Sequence, residues 1–140
     1  EIGVRLVGSE MCIRDRVNGI STPILTQNST MYQFMVDGED KSFDTDKYDP
    51  MTYVGVDQAG TKVHFFVIDG RQDWVSMGVK FYEMVRIAQK FGCWNVTRFD
   101  GGGSTTLWLY TDGAGKVVNK PSDSKGERSC MNYMHVRIKQ

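Results

Sequence analysis

One amphipathic helix in a chain whose other apolar runs are short is the feature that most limits the fold. From Val79 to Phe91, residues Val79, Tyr82, Met84, Val85, Ile87, Ala88 and Phe91 mostly share a face, with Lys80, Glu83, Arg86, Gln89 and Lys90 largely outside it. A lone helix with one apolar stripe has no second helix to bury it against, so a sheet has to cover that stripe. Ser76 is placed to cap its N-terminus, and Gly92 sits where a left-handed C-terminal residue is wanted.

The flanking runs supply the strands. Met31–Val36 alternates and ends at the turn pair Asp37-Gly38, while the acidic stretch Glu39–Asp49 reads as a solvated loop. Tyr53–Val56, the turn residues Asp57–Thr61 and the return run Lys62–Ile68 make a hairpin. The return strand is nearly continuous in apolar residues, which predicts burial on both faces. Cys93–Phe99, Thr105–Tyr110, Val117-Val118 and Tyr133–Ile138 follow the helix as further strands. The expected fold is α+β, a mixed and mostly antiparallel sheet packed on one principal helix at about residues 79–91. A chain of 140 residues fits one such domain.

Charge narrows the function. Seventeen Lys and Arg balance seventeen Asp and Glu, leaving no basic footprint for nucleic acid or anionic lipid. No run reaches the length of a membrane-spanning helix. Cys93 and Cys130 are compatible with one disulfide or with two buried thiols, and neither has metal-ligand spacing to His64 or His135. No metal and no cofactor is therefore expected. His64, in an apolar strand, reads as a core histidine, and the Met and aromatic residues as core.

Three polar segments interrupt the apolar pattern at strand ends or in loops, where a rigid scaffold places functional groups. Asp69-Gly70-Arg71 follows the return strand; Arg suits bidentate contact with phosphate. Asp100-Gly101-Gly102-Gly103-Ser104 follows the post-helix strand. Its backbone N–H groups could form an anion-binding concavity, with the Ser104 or Thr105 hydroxyl alongside and Asp100 at the rim. The third segment is Asn119–Asp123 with Glu127-Arg128. No Gly-Lys-Ser/Thr follows the glycines, so a nucleotide phosphate loop is excluded.

Taken together and in order, these segments resemble the phosphodiester glycosidase family. The resemblance runs from about Asp49 to Ile138. It is carried by Thr52-x-x-Gly55-Val56, Val67–Gln72, Ser76-x-Gly78-Val79, Gly92-Cys93, Asp100–Thr106, Val117–Asp123, Glu127-Arg128 and Asn132. It implies hydrolysis of a glycosyl-1-phosphodiester in an exported or secretory setting. Asp69 and Asp100 are the implied acid/base pair and Glu127 a further catalytic candidate. Arg71, Gly101, Gly102, Gly103, Ser104, Thr105, Thr52, Arg128 and Asn132 are the implied substrate contacts. The chain departs from the family at Pro50-Met51-Thr52, where Pro-Arg-Thr is usual, and has no upstream Asn-Gly-Gly-Phe-Phe. Met51 favours the rival reading, a carbohydrate- or phosphate-binding module on the same fold.

Residues 1–16, with Leu6–Arg16 reading LVGSEMCIRDR, resemble the translation of a sequencing-library adapter. The expected biological domain is accordingly 17–140, a single domain shortened on its N-terminal side. Removing residues 1–16 takes three acids and three bases and leaves the charge balanced.

Overall fold

The computed structural model describes residues 2–7, 32–111, 114–129 and 133–138. In chain order its elements are β1 (Ile2–Val7), β2 (Tyr32–Val36), β3 (Glu39–Asp40), β4 (Met51–Asp57), β5 (Val63–Ile68), α1 (Phe81–Lys90), β6 (Cys93–Gly101), β7 (Trp108–Thr111), β8 (Ala114–Val117) and β9 (Tyr133–Ile138). A 3-10 turn, Gly102–Ser104, follows β6 directly.

The main sheet has five strands in the order β3-β2-β6-β4-β5. Two smaller sheets pair β7 with β8 and β1 with β9. All pairings between the described strands are antiparallel, so the sheet is simpler than the mixed one expected. β5 and β6 still run the same way on either side of β4, and α1 is the crossover that returns the chain between them.

The helix buries Phe81, Met84, Val85 and Ala88. They meet Phe34, Met35, Met51, Tyr53, Phe66, Cys93 and Val96 in one core. β4 is its centre, with Met51 and Tyr53 fully buried. Glu39-Asp40, expected within a solvated loop, pairs with β2 as β3, though both residues stay exposed. Two further local expectations fail. β5 is the edge strand, so only its helix-side face is covered: Phe66 is buried while Val63 and Phe65 are 45% and 42% exposed. Ser76 does not cap α1. Lys80 is the N-cap, and its N–H donates to Glu83 Oε2 at 2.9 Å. Gly92 does close the helix in the left-handed region, at φ 77°.

Three glycines let the backbone entering β4 pass through a space too narrow for a side chain. A Cβ on Gly70 would lie 2.6 Å from Pro50 N, one on Gly78 would lie 2.5 Å from Asp49 O, and one on Gly101 would lie 2.7 Å from Pro50 O. Hydrogen bonds lock the crossing: Val79 N donates to Asp49 O at 3.1 Å and Gly102 N to Pro50 O at 3.0 Å. Among the described residues no helix is long and apolar enough to cross a membrane.

Two outcomes follow. Gly78, at φ 106°, combines a left-handed backbone with a collision, whereas Gly92 has the backbone alone and nothing within 4 Å. In urea unfolding, Gly92→Ala should cost about 1–2 kcal/mol and Gly78→Ala about 2–5 kcal/mol; equal losses would show that the crossing relaxes. Cys93 is buried against Gly55, and that burial, helped by the charge on Asp57, pushes its thiol up to about 11. A folded value above the ordinary 9.0 means this contribution to stability is complete below pH 9.0 and lost as pH rises through about 11. Iodoacetamide at pH 8 with peptide mapping should leave Cys93 unmodified until urea is added. Its possible partner Cys130 lies outside the described residues.

Candidate active site

The sheet register places the polar corners. Ile68 and Gly101 both pair with Met51, from opposite sides, so β5 and β6 end level with each other on either side of β4. Asp69-Gly70-Arg71 and the glycine turn therefore leave the sheet from the same end.

Arg71 crosses the gap between them. Its backbone is left-handed at φ 55°, a conformation that costs a non-glycine residue about 1–2 kcal/mol. Arg71 N donates to Met77 O at 3.1 Å, and Arg71 Nε donates to Asp49 Oδ1 at 2.7 Å. The guanidinium then lies over the turn: a Cβ on Gly102 would be 3.1 Å from Arg71 Nη1. At φ 61°, Gly102 has a second reason to be glycine.

Arg128 reaches the same turn at the next glycine. It clasps Asp123 with two hydrogen bonds, Nε to Oδ2 at 2.7 Å and Nη2 to Oδ1 at 2.8 Å. A Cβ on Gly103 would collide with both members of that pair. The Arg128 hydrogen bond holds the Asp123 carboxyl below its ordinary value, and the charges of Arg128 and Arg71 act in the same direction.

Asp69 is tied down rather than free. Its Oδ1 accepts from Asn119 Nδ2 at 2.8 Å, and the Lys120 N–H reaches its two oxygens at 3.1 and 3.0 Å. Asn119 also donates to Thr105 O at 3.0 Å and accepts from Leu107 N at 2.7 Å. One asparagine thus joins the end of β5 to the chain leaving the glycine turn. Gln72 Nε2 adds a bond to Lys120 O at 2.6 Å. Between Gln72 and Ser76 a tight loop lifts Trp74 into solvent at φ 65°.

The other expected site residues fall as follows. Asp100 is exposed, and its Oδ1 accepts from Gly101 N at 2.8 Å. Ser104 is half-buried in the turn, and Thr52 is half-buried opposite Val67. Glu127 accepts from Trp108 Nε1 at 3.0 Å. Asn132 lies outside the described residues. Two expectations need correcting. Thr105 is 1% exposed with its hydroxyl sealed from solvent, so it shapes the turn rather than offering that hydroxyl to a ligand. The N–H groups of Gly101 and Gly102 are already given to Asp100 Oδ1 and Pro50 O, so these two amides are not open to a ligand as expected. Asn119 and Asp123 lie in the third polar segment marked from sequence, but their roles, like that of Asp49, could not be assigned there, because each acts through a partner distant in the chain or across a loop. A shallow groove of about 520 Å³ opens beside Arg71, lined also by Lys47, Tyr48, Asp49, Gln72 and Met77.

A family model for phosphodiester glycosidases matches residues 5–137. The chain belongs to the phosphodiester glycosidase family. No curated protein matches it. The family's name denotes glycosidase action on phosphodiesters, and the matched span contains every described element from β2 to β8. It begins at Arg5, inside the adapter-like segment. In this member of the family Met51, standing where the resemblance places an arginine, points into the core: it is fully buried, and Tyr53 Oη donates to its sulfur at 2.8 Å. Burial raises the Tyr53 hydroxyl pKa, while the charge of Arg98 opposes that shift.

The Asp123–Arg128 clasp gives a pH prediction. With Asp123 lowered in the folded state, the clasp contributes above the ordinary value of 3.8 and is lost as pH falls through the lowered one. An NMR titration of Arg128 Nε from pH 7 downward should stay flat until below 3.8, and Asp123→Asn should remove the transition.

Proposed function

We propose that this domain hydrolyses a glycosyl-1-phosphodiester, with water displacing the phosphate from the anomeric carbon. The observation that carries the reading is the pair of guanidiniums at the glycine turn, Arg71 against Gly102 and Arg128, with Asp123, against Gly103. They are fixed by Asp49 and Asp123 before any ligand arrives. Donors prearranged where negative charge collects on a leaving phosphate are worth ~3 kcal/mol each.

Asp100 is the group for proton transfer, because its residue is exposed at the rim of the turn. Asp69 serves differently. With its oxygens engaged by Asn119 and Lys120, it holds the loop against the turn and is poorly placed to exchange a proton. Glycoside hydrolysis commonly uses two carboxylates, and here one is available and the other is bound into the scaffold. The burial of Met51 favours a second reading, a binding module on the same fold that takes a sugar phosphate without cleaving it.

Sugar release from a glycosyl-1-phosphodiester, followed alongside binding of the same compound, separates the two. Asp100→Asn should lower kcat about 10²–10⁴-fold, and Arg71→Met should lower it about 10²–10³-fold. Turnover by Asp100→Asn close to that of the parent would remove Asp100 from the chemistry. Binding with no release by the parent would leave the binding module standing.

A further inference from the structure

The β7-β8 hairpin carries an aromatic face that the reaction proposed above does not use. Trp108 and Tyr110 are two residues apart on one strand and so point to the same side. They are 53% and 76% exposed. Gly115 on the facing strand pairs with Tyr110, and a Cβ there would run into the Trp108 ring. Glycine at this position lets the indole lie against β8. The indole N–H is fixed as well, donating to Glu127 Oε1 at 3.0 Å.

Glu127 precedes Arg128, the residue whose guanidinium crowds Gly103. One short segment therefore anchors the tryptophan with one side chain and supplies the cation with the next. A flat, half-open indole, anchored through Glu127 next in the chain to Arg128, suits the apolar face of a pyranose. Sugar C–H groups carry partial positive charge and meet the negative face of the ring, while the hydroxyl edge stays accessible to polar groups.

We propose that the Trp108–Tyr110 face is the sugar subsite, with the glycosyl ring stacked on Trp108 while its phosphate occupies the Arg71–Arg128 cradle. This rests on the reading of the site as a sugar-phosphodiester site and adds where the sugar lies. Glu127 is then a positioning residue for the platform and leaves the list of acid/base candidates.

The test is an NMR titration of the full chain with glucose 1-phosphate, N-acetylglucosamine 1-phosphate and inorganic phosphate, each alone. The expected result is tighter binding of at least one sugar phosphate than of phosphate. Trp108→Ala should weaken the sugar phosphates by about tenfold and leave the inorganic phosphate affinity in place. In case that variant does not fold, Glu127→Ala should weaken the same ligands, and Glu127→Gln, which keeps an acceptor for the indole N–H, should restore them. Sugar phosphates bound equally well by the parent and Trp108→Ala would overturn the platform and leave the phosphate cradle intact. A Trp108→Ala change that instead converts a dimer to a monomer would also overturn it, assigning the face to a second copy of the chain. Loss of the Gln rescue would overturn the positioning role. If the parent binds no phosphate and Arg71→Met changes nothing, the cradle reading itself has failed, and the subsite with it.

Discussion

The tightest constraint in the molecule is a backbone crossing. The two residues before β4 pass between three glycines, one from each segment that borders the candidate site. Gly70 belongs to the corner after β5, Gly78 to the approach to the helix and Gly101 to the end of β6. Side chains at these positions would hold the strands apart, and the ends of β5 and β6 could no longer close on the start of β4. That closeness is what allows one arginine, starting on the first corner, to lie over the glycine turn on the other. Fold and site therefore share a contact.

The charges around the turn are arranged in pairs. Each arginine has a carboxylate partner, Asp49 for Arg71 and Asp123 for Arg128, and both guanidiniums remain half-exposed. Ion pairs this open contribute little to stability, of the order of 0–1 kcal/mol. Their effect is geometric: a long flexible side chain is held in one place against the turn. Left-handed strain at Arg71 fits the same account, since such conformations persist where surrounding structure over-determines them and concentrate at functional sites.

Much of this could be read from the chain because it is local. The helix shows in its 3.6-residue spacing, the β4-β5 hairpin in its two apolar runs around Asp57–Thr61, and the end of β6 in the glycines that follow it. What could not be read depends on partners far apart. Asp49 meets Arg71 across 22 residues and Asp69 meets Asn119 across 50, and no local pattern marks either pair. The failure at β5 has another cause. A run of apolar residues records that burial is possible, whereas the number of covered faces depends on the strand's place in the sheet. Ser76 illustrates a competing bond: its hydroxyl donates to Asp69 O at 2.6 Å and steadies the corner, four residues short of the position where it would have capped the helix.

The chain also carries three indoles in three settings. Trp74 stands wholly in water at the tip of the loop beside the groove, Trp108 lies half-open against its hairpin, and Trp94 packs over Gly38. Their fluorescence is accordingly graded. Trp74 emits as indole does in water and is the first that a dissolved quencher reaches, while Trp94, half-buried over Gly38, is reached less readily. Graded quenching of the emission therefore reports on the loop tip before the sheet, with no label attached.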